Sequence, residues 1–187
     1  MIRAFIGIEL DDLTKAEMAR IINLLHKDAW KGRWKRTENL HLTLKFLVEV
    51  EDDQLEAIDR VLQVLALQQT PFRLEFTGLG QFPGRDSIRV VWLGLAGELA
   101  QLSQLQSLIE QGLVPLGFAA ETRPFSPHIT LGQDIGFTKE FPQVRHLLGP
   151  VRMSPVAVDH LTLFKSEQLA GHRVYTPIRR YEFNDKP

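Results

Sequence analysis

The stretch Asn39-Leu40-His41-Leu42-Thr43-Leu44-Lys45-Phe46-Leu47 decides how this chain is read. On a β-strand, residues i and i+2 share one face, and i+1 and i+3 share the other. His41 and Thr43 then stand side by side, backed by Leu42 and Leu44, and unbroken alternation puts Lys45 on their face. The same four-residue pattern returns in His128-Ile129-Thr130-Leu131 and in His160-Leu161-Thr162-Leu163. Two such strands facing each other would gather two imidazoles and two hydroxyls.

Strand and helix signals alternate around these motifs. Residues 2–9 read as a strand. Residues 12–27 read as a helix, with Met18, Ile21, Ile22 and Leu25 at i, i+3, i+4 and i+7. The first motif opens a strand-like run from His41 to Val50. Acidic Glu51, Asp52 and Asp53 then suit a helix N-terminus, and Leu55, Ile58, Leu62 and Leu65 line one side of that helix. Phe72 to Thr77 and Ile88 to Leu95 read as strands joined by the Gly/Pro-rich turn 78–84. A third helix spans about 97–111, with Leu99, Leu102, Leu105 and Leu108 inward. A weaker one lies around 138–147, and strand-like runs Val156 to Lys165 and His172 to Phe183 end the chain. Each half holds a strand, a helix and a motif strand. The fold expected is therefore sheet-rich and α+β, one domain over 1–187 with internal duplication.

Composition bounds the function. A net charge of -1 over 187 residues does not suit a protein that grips long nucleic acid by overall charge, but leaves room for a local basic patch. Without cysteine there is no disulfide framework, thiolate chemistry or Cys-based zinc site. No apolar run approaches the ~20 residues of a membrane span. A cytoplasmic monomer is the expectation.

The chemistry that wants paired imidazoles and hydroxyls is displacement at phosphorus. One histidine takes a proton from water, the other gives one to the leaving oxygen, and the hydroxyls hold the non-bridging oxygens. Context separates the three motifs. His41 has the basic-aromatic run Trp34-Lys35-Arg36 upstream, and His128 follows the loop Arg123-Pro124-Phe125-Ser126-Pro127. His160 follows Val156 and Val158 in an apolar run, which reads as a packed strand. Phe82 could stack on a base. The glycines at 78–84 lead into a strand, so they do not make a dinucleotide-binding loop. His26, His146 and His172 have no such context.

Together these residues resemble the two-histidine phosphoesterase superfamily, in its bacterial branch of RNA 2',3'-cyclic phosphodiesterases, also called 2'-5' RNA ligases. The resemblance rests on Arg3-Ala4-Phe5-Ile6-Gly7-Ile8, on residues 39–47, on Gly80-Gln81-Phe82-Pro83 before Arg89-Val90-Val91-Trp92-Leu93-Gly94, and on Pro127-His128-Ile129-Thr130-Leu131. It implies two pseudo-symmetric lobes with antiparallel β-sheets lining a central cleft and helices on the outside, and hydrolysis of RNA 2',3'-cyclic phosphate ends to 2'-phosphomonoesters without metal or cofactor. His41 would be the proton donor and His128 the acceptor, with Thr43 and Thr130 on the phosphate. Lys45, Arg123 and Phe82 complete the expected substrate contacts, and the partners would be RNA ends or small cyclic-phosphate nucleotides. Many relatives carry a basic residue shortly after the second motif. Here Gly132-Gln133-Asp134 follows, leaving Arg123, Lys45 or Arg36 to substitute. Ligation, the reverse reaction, and a non-catalytic nucleotide-binding module are the alternatives. A metal enzyme is weaker, for want of carboxylates at ligand spacing near either motif.

Overall fold

In the computed structural model, which describes residues 1–184, the elements run β1 (Ala4–Glu9), α1 (Asp12–His26), β2 (Ala29–Trp34), β3 (His41–Phe46), α2 (Asp52–Leu67), β4 (Phe72–Pro83), β5 (Ile88–Gly97), α3 (Leu99–Leu113), β6 (His128–Phe137), α4 (Phe141–Leu148), β7 (Val156–Val158), β8 (His160–Leu169) and β9 (His172–Glu182). They build two antiparallel sheets, β3-β1-β8-β9 and β2-β6-β5-β4-β7. Leaving β2 aside, each half runs strand, helix, motif strand, helix: β1-α1-β3-α2 and β5-α3-β6-α4. In each, the motif strand pairs antiparallel with the strand before the helix. Motif strands β3 and β6 approach one another across the two sheets.

The helices form as their apolar spacing requires and cover the sheets. Met18, Ile22 and Leu25 of α1 are buried, and Asp11 caps it by accepting from the Thr14 amide at 2.8 Å. A capping box between Glu51 and Gln54 starts α2, which buries Ile58, Leu62 and Leu65. In α3 the buried apolar side chains are Leu102, Leu105, Ile109 and Leu113, so the inward stripe lies slightly round from the expected one. α2 packs on β8 and β9, α3 on β3, and α1 on β2 and β6. Buried residues of both sheets and all four helices join one continuous core.

Three expectations need correction, and one strand was not expected. The stretch 78–84 is mostly not a turn: β4 continues to Pro83, paired with β5 through Gly80↔Trp92, Gln81↔Val91 and Phe82↔Val90. Glycine fits this strand because a Cβ at Gly80 would lie 2.0 Å from the Trp92 ring. The run from Val156 to Lys165 is two strands, since the chain crosses from one sheet to the other at Asp159: β7 pairs with β4 and β8 with β1. The strand begun at His41 ends at Phe46, and Val50 forms only an isolated bridge to Ile2. Ala29–Trp34 is a strand that carries no apolar alternation, because its central residues are exposed.

Both motif strands share an irregularity that shapes the site. Gly7 faces Thr43 but Ile6 faces Lys45, so Leu44 is an extra residue in β3. Trp92 faces Thr130 but Val91 faces Gly132, so Leu131 is an extra residue in β6. Each bulge falls directly after the motif threonine and reverses the alternation beyond it.

Candidate active site

His41, Thr43, His128 and Thr130 line one cavity of about 300 Å³, at the small end of the range usual for small-molecule sites. His160 and Thr162 do not line it. Each of the two cavity histidines is oriented in the same way. The Nδ1 atom of His41 lies 2.8 Å from the Asn39 carbonyl, and that of His128 lies 2.7 Å from the Ser126 carbonyl. A carbonyl only accepts, so each Nδ1 carries the proton and each Nε2 presents a lone pair when the ring is neutral. The Thr43 hydroxyl donates to Nε2 of His41 at 2.9 Å. Pro127 favours extended backbone at Ser126, which sets up the second of these contacts.

Aromatic rings wall both imidazoles. His41 packs on Phe5 at 4.6 Å and meets the edge of Tyr175 at 5.1 Å; His128 meets the edge of Phe82 at 5.0 Å. Loss of solvation is the main reason His41 titrates low, at about 4, with the charges of Lys35 and Lys15 adding to it against the Asn39 contact. Loss of solvation likewise holds His128 below the ordinary value, opposed by its contact with Ser126. Burial thus favours the neutral form of both rings.

The remaining lining is Arg3, Lys35, Asn39, Gln133, Ser166, Arg173 and Tyr175 with a few apolar side chains, and it includes no Asp or Glu. Among the described residues Arg3, Lys35 and Arg173 have no carboxylate at ion-pair distance. Three cations without counterions, hydroxyls and amides describe a receptor for an anion. Lys35 starts beside the bulge of β6, its amide donating to the Leu131 carbonyl at 2.8 Å, and its Nζ donates to the Tyr175 hydroxyl at 3.3 Å. Gln133, three residues past Thr130, is turned to the cavity by that bulge.

The expected cations are placed elsewhere. The bulge at Leu44 turns Lys45 off the face of His41 and Thr43, so the expectation of a shared face fails. Lys45 is buried, and its Nζ donates to Glu110 of α3 at 2.5 Å and to the Ala119 carbonyl at 2.9 Å. Arg123 is exposed and paired with Glu121, and Arg36 is paired with Glu38. Arg123 and Phe82 line a second cavity of about 530 Å³, which shares Thr43, Phe46 and His128 with the first. Sequence reasoning gives Arg3, Arg173 and Tyr175 no role at the site, and Lys35 only a place in the basic-aromatic run Trp34-Lys35-Arg36. Arg173 and Tyr175 come from the β8–β9 hairpin, brought in by Asn39. The Asn39 side-chain amide donates to the Arg173 carbonyl at 2.7 Å and accepts from the Tyr175 amide at 3.3 Å.

His160 is mostly buried, as a packed strand would have it, but among polar groups, because its flanking valines belong to the other sheet. Its Nδ1 lies 2.5 Å from Asp159, and its Nε2 is buried without a hydrogen-bond partner, 3.6 Å from Glu9, which accepts from Thr162 and Arg180. This motif copy is engaged in a polar cluster away from the cavity.

Comparison with known proteins agrees with this arrangement. The family model described as the 2'-5' RNA ligase superfamily matches residues 12–169. A Methanothermobacter thermautotrophicus protein named RNA 2',3'-cyclic phosphodiesterase is 31% identical over 180 residues, covering 95% of this chain and 96% of its own. The crystal structure of Escherichia coli LigT in its apo form is 29% identical, with a TM-score of 0.80 and 97% of each chain covered. LigT complexed with 3'-AMP is 30% identical, with a TM-score of 0.76 and the same coverage. No helix among the described residues is long and apolar enough to cross a membrane. With its paired motifs facing one cavity and most of its length matched, the chain belongs to the 2'-5' RNA ligase superfamily of two-histidine phosphoesterases.

Proposed function

We propose that this protein opens RNA 2',3'-cyclic phosphate ends to 2'-phosphomonoesters, using His41 and His128 and no metal. The observation that carries the reading is the single cavity lined by both imidazoles, both threonines and three cations without counterions, with no carboxylate. The activity named for the Methanothermobacter relative and the 3'-AMP held by LigT support the same substrate class.

In the mechanism, Nε2 of His128 takes a proton from water as its oxygen attacks phosphorus. The P–O3' bond breaks, and Nε2 of His41 delivers a proton to the 3'-oxygen. Thr43 and Thr130 donate to the non-bridging oxygens, and Lys35, beside Gln133, supplies the cation. Thr43 must leave its bond to His41 Nε2 to do so, which frees that nitrogen. The donor role needs a proton on a ring whose burial favours the neutral form. A bound phosphate monoanion favours the imidazolium and offsets the charge of Lys35, raising the affinity of His41 for that proton. The same reading takes the protein as a cytoplasmic monomer acting on RNA ends or small cyclic-phosphate nucleotides.

The test is turnover of a cyclic-phosphate-terminated oligonucleotide in EDTA. His41→Ala and His128→Ala should each lose at least the ~10²–10⁴ typical of one acid-base group. Binding without turnover by the unaltered protein would leave only a nucleotide-binding module, and loss of turnover on chelation would contradict the metal-free mechanism.

A further inference from the structure

We infer that the outward face of β2 and β6 beside the first cavity is a track for the single-stranded RNA that leads to the cyclic phosphate, with Trp30 as a platform for one of its bases. The inference rests on the hydrolytic reading above and names the part of the substrate that the first cavity leaves outside. That cavity, at about 300 Å³, holds little beyond one terminal nucleoside and its phosphate. The chain behind that nucleoside must leave over the surface.

One exit carries concentrated positive charge. Lys31, Arg33, Lys35 and Arg36 follow closely in sequence, and no acidic residue stands between Asp28 and Glu38. Lys35 and Gln133 line the cavity. Arg33 faces Gln133 across the β2–β6 pair, and cross-strand neighbours share a face, so the lining continues onto β2. Further out, Lys31 faces Gly136. Ile135 is buried in the core, so Gly136 and Lys31 lie on the outward face with Gln133 and Arg33. Ala29 faces Phe137, which makes Trp30 an extra residue of β2. Its indole settles over Gly136, where a Cβ would lie 2.6 Å from the ring.

Trp30 nevertheless keeps 64% of its exposure, and Lys31 Nζ lies 4.8 Å from the ring centre. An open ring beside cations suits a single strand: bases stack on the ring whatever their identity, and the cations meet the phosphates. Among the described residues Lys31 and Lys35 have no carboxylate at ion-pair distance, and Arg33 has only its exposed pair with Asp134, which is readily exchanged for a phosphate. At ~3.3 Å per residue, Trp30 lies at most about 16 Å from Lys35 along the strand. That is beyond the nucleoside in the cavity but within reach of the nucleotides behind it.

The experiment compares 2',3'-cyclic CMP with oligoribonucleotides of increasing length that end in the same cyclic nucleotide. In the unaltered protein kcat/KM should rise with length until the chain reaches Trp30 and then level off, and the gain should shrink with added salt. Trp30→Ala should lower kcat/KM for the longer RNAs about tenfold, mostly through KM, the effect of one stacked base, and leave the mononucleotide unchanged. Trp30→Phe should restore most of the loss. Equal kcat/KM for mononucleotide and RNAs, or a Trp30→Ala loss shared equally by both, overturns the track and leaves hydrolysis standing. Turnover of neither substrate overturns the hydrolytic reading. The affinity for fluorescein-labelled RNA ending in a 3'-phosphate then decides the track, which stands if Trp30→Ala weakens binding about tenfold and falls if binding is unchanged. A dimer that dissociates on Trp30→Ala in sedimentation, with RNA affinity unaltered, assigns the surface to a second copy of the chain and likewise overturns the track.

Discussion

Lys45 gives the sharpest separation between what the motif suggests and what the fold does. Its position two residues past Thr43 invites a phosphate-binding role, yet the bulge sends it into the protein. Lys45 and Glu110 side chains retain 5% and 11% of their exposure, so the pair is largely desolvated. Glu110 also accepts from Gln106 and from the Glu121 amide, tying α3 to the loop that leads to His128. Lys45→Met leaves that carboxylate buried without its cation, and removing one partner of a buried pair costs about 3–5 kcal/mol. For a chain of this size each kcal/mol shifts Tm by about 2–4 °C, so the expected fall is about 6–20 °C. Lys45→Met/Glu110→Gln should recover most of it, because the neutral amide can still bond to its neighbours. The assay is thermal or urea unfolding of both variants, alongside KM for a cyclic mononucleotide at a temperature where both are folded. A Tm within about 2 °C of the unaltered protein, less than the effect of 1 kcal/mol, together with a raised KM, would refute the buried-pair account and restore Lys45 as a phosphate ligand.

Three further outcomes follow from the site. Because burial holds His41 at about 4 and His128 below its ordinary value, kcat/KM should be highest on the acid side of neutrality and fall toward higher pH as the donor His41 loses its proton; a profile still rising from pH 6.5 to 8 would contradict this. Gly80→Ala would push a methyl into the Trp92 ring and should cost about 1–3 kcal/mol, with altered tryptophan fluorescence; unchanged urea unfolding would show that the ring is free to move. His160→Ala should leave the hydrolytic rate nearly intact, and a loss as large as that of His41→Ala would overturn the choice of working pair.

The sequence exposes the periodic parts of this fold and hides the aperiodic ones. α1 and α2 are visible because burial repeats every three to four residues. The motif strands are visible because a histidine and a threonine two apart are each backed by a leucine or isoleucine. The bulges at Leu44 and Leu131 are silent, since an inserted apolar residue looks like one more buried position. They displace Lys45 and direct Phe46 and Gln133 to the cleft. β2 is hidden because its exposed centre carries lysine, glycine and arginine. The pairing of Tyr175 and Arg173 with the site depends on Asn39 reaching the last hairpin, a contact across more than 130 positions that no local pattern encodes. His160 shows the limit of a motif: its four letters match, but strand β8 places the ring against Glu9 and Asp159.

The most direct test of the central claim is end-group analysis of the product formed from a cyclic-phosphate-terminated RNA in oxygen-18 water containing EDTA. The account predicts a 2'-phosphate carrying one heavy oxygen, with the product abolished in His41→Ala and His128→Ala. A 3'-phosphate, or a 2'-phosphate formed at an undiminished rate by either variant, would contradict it.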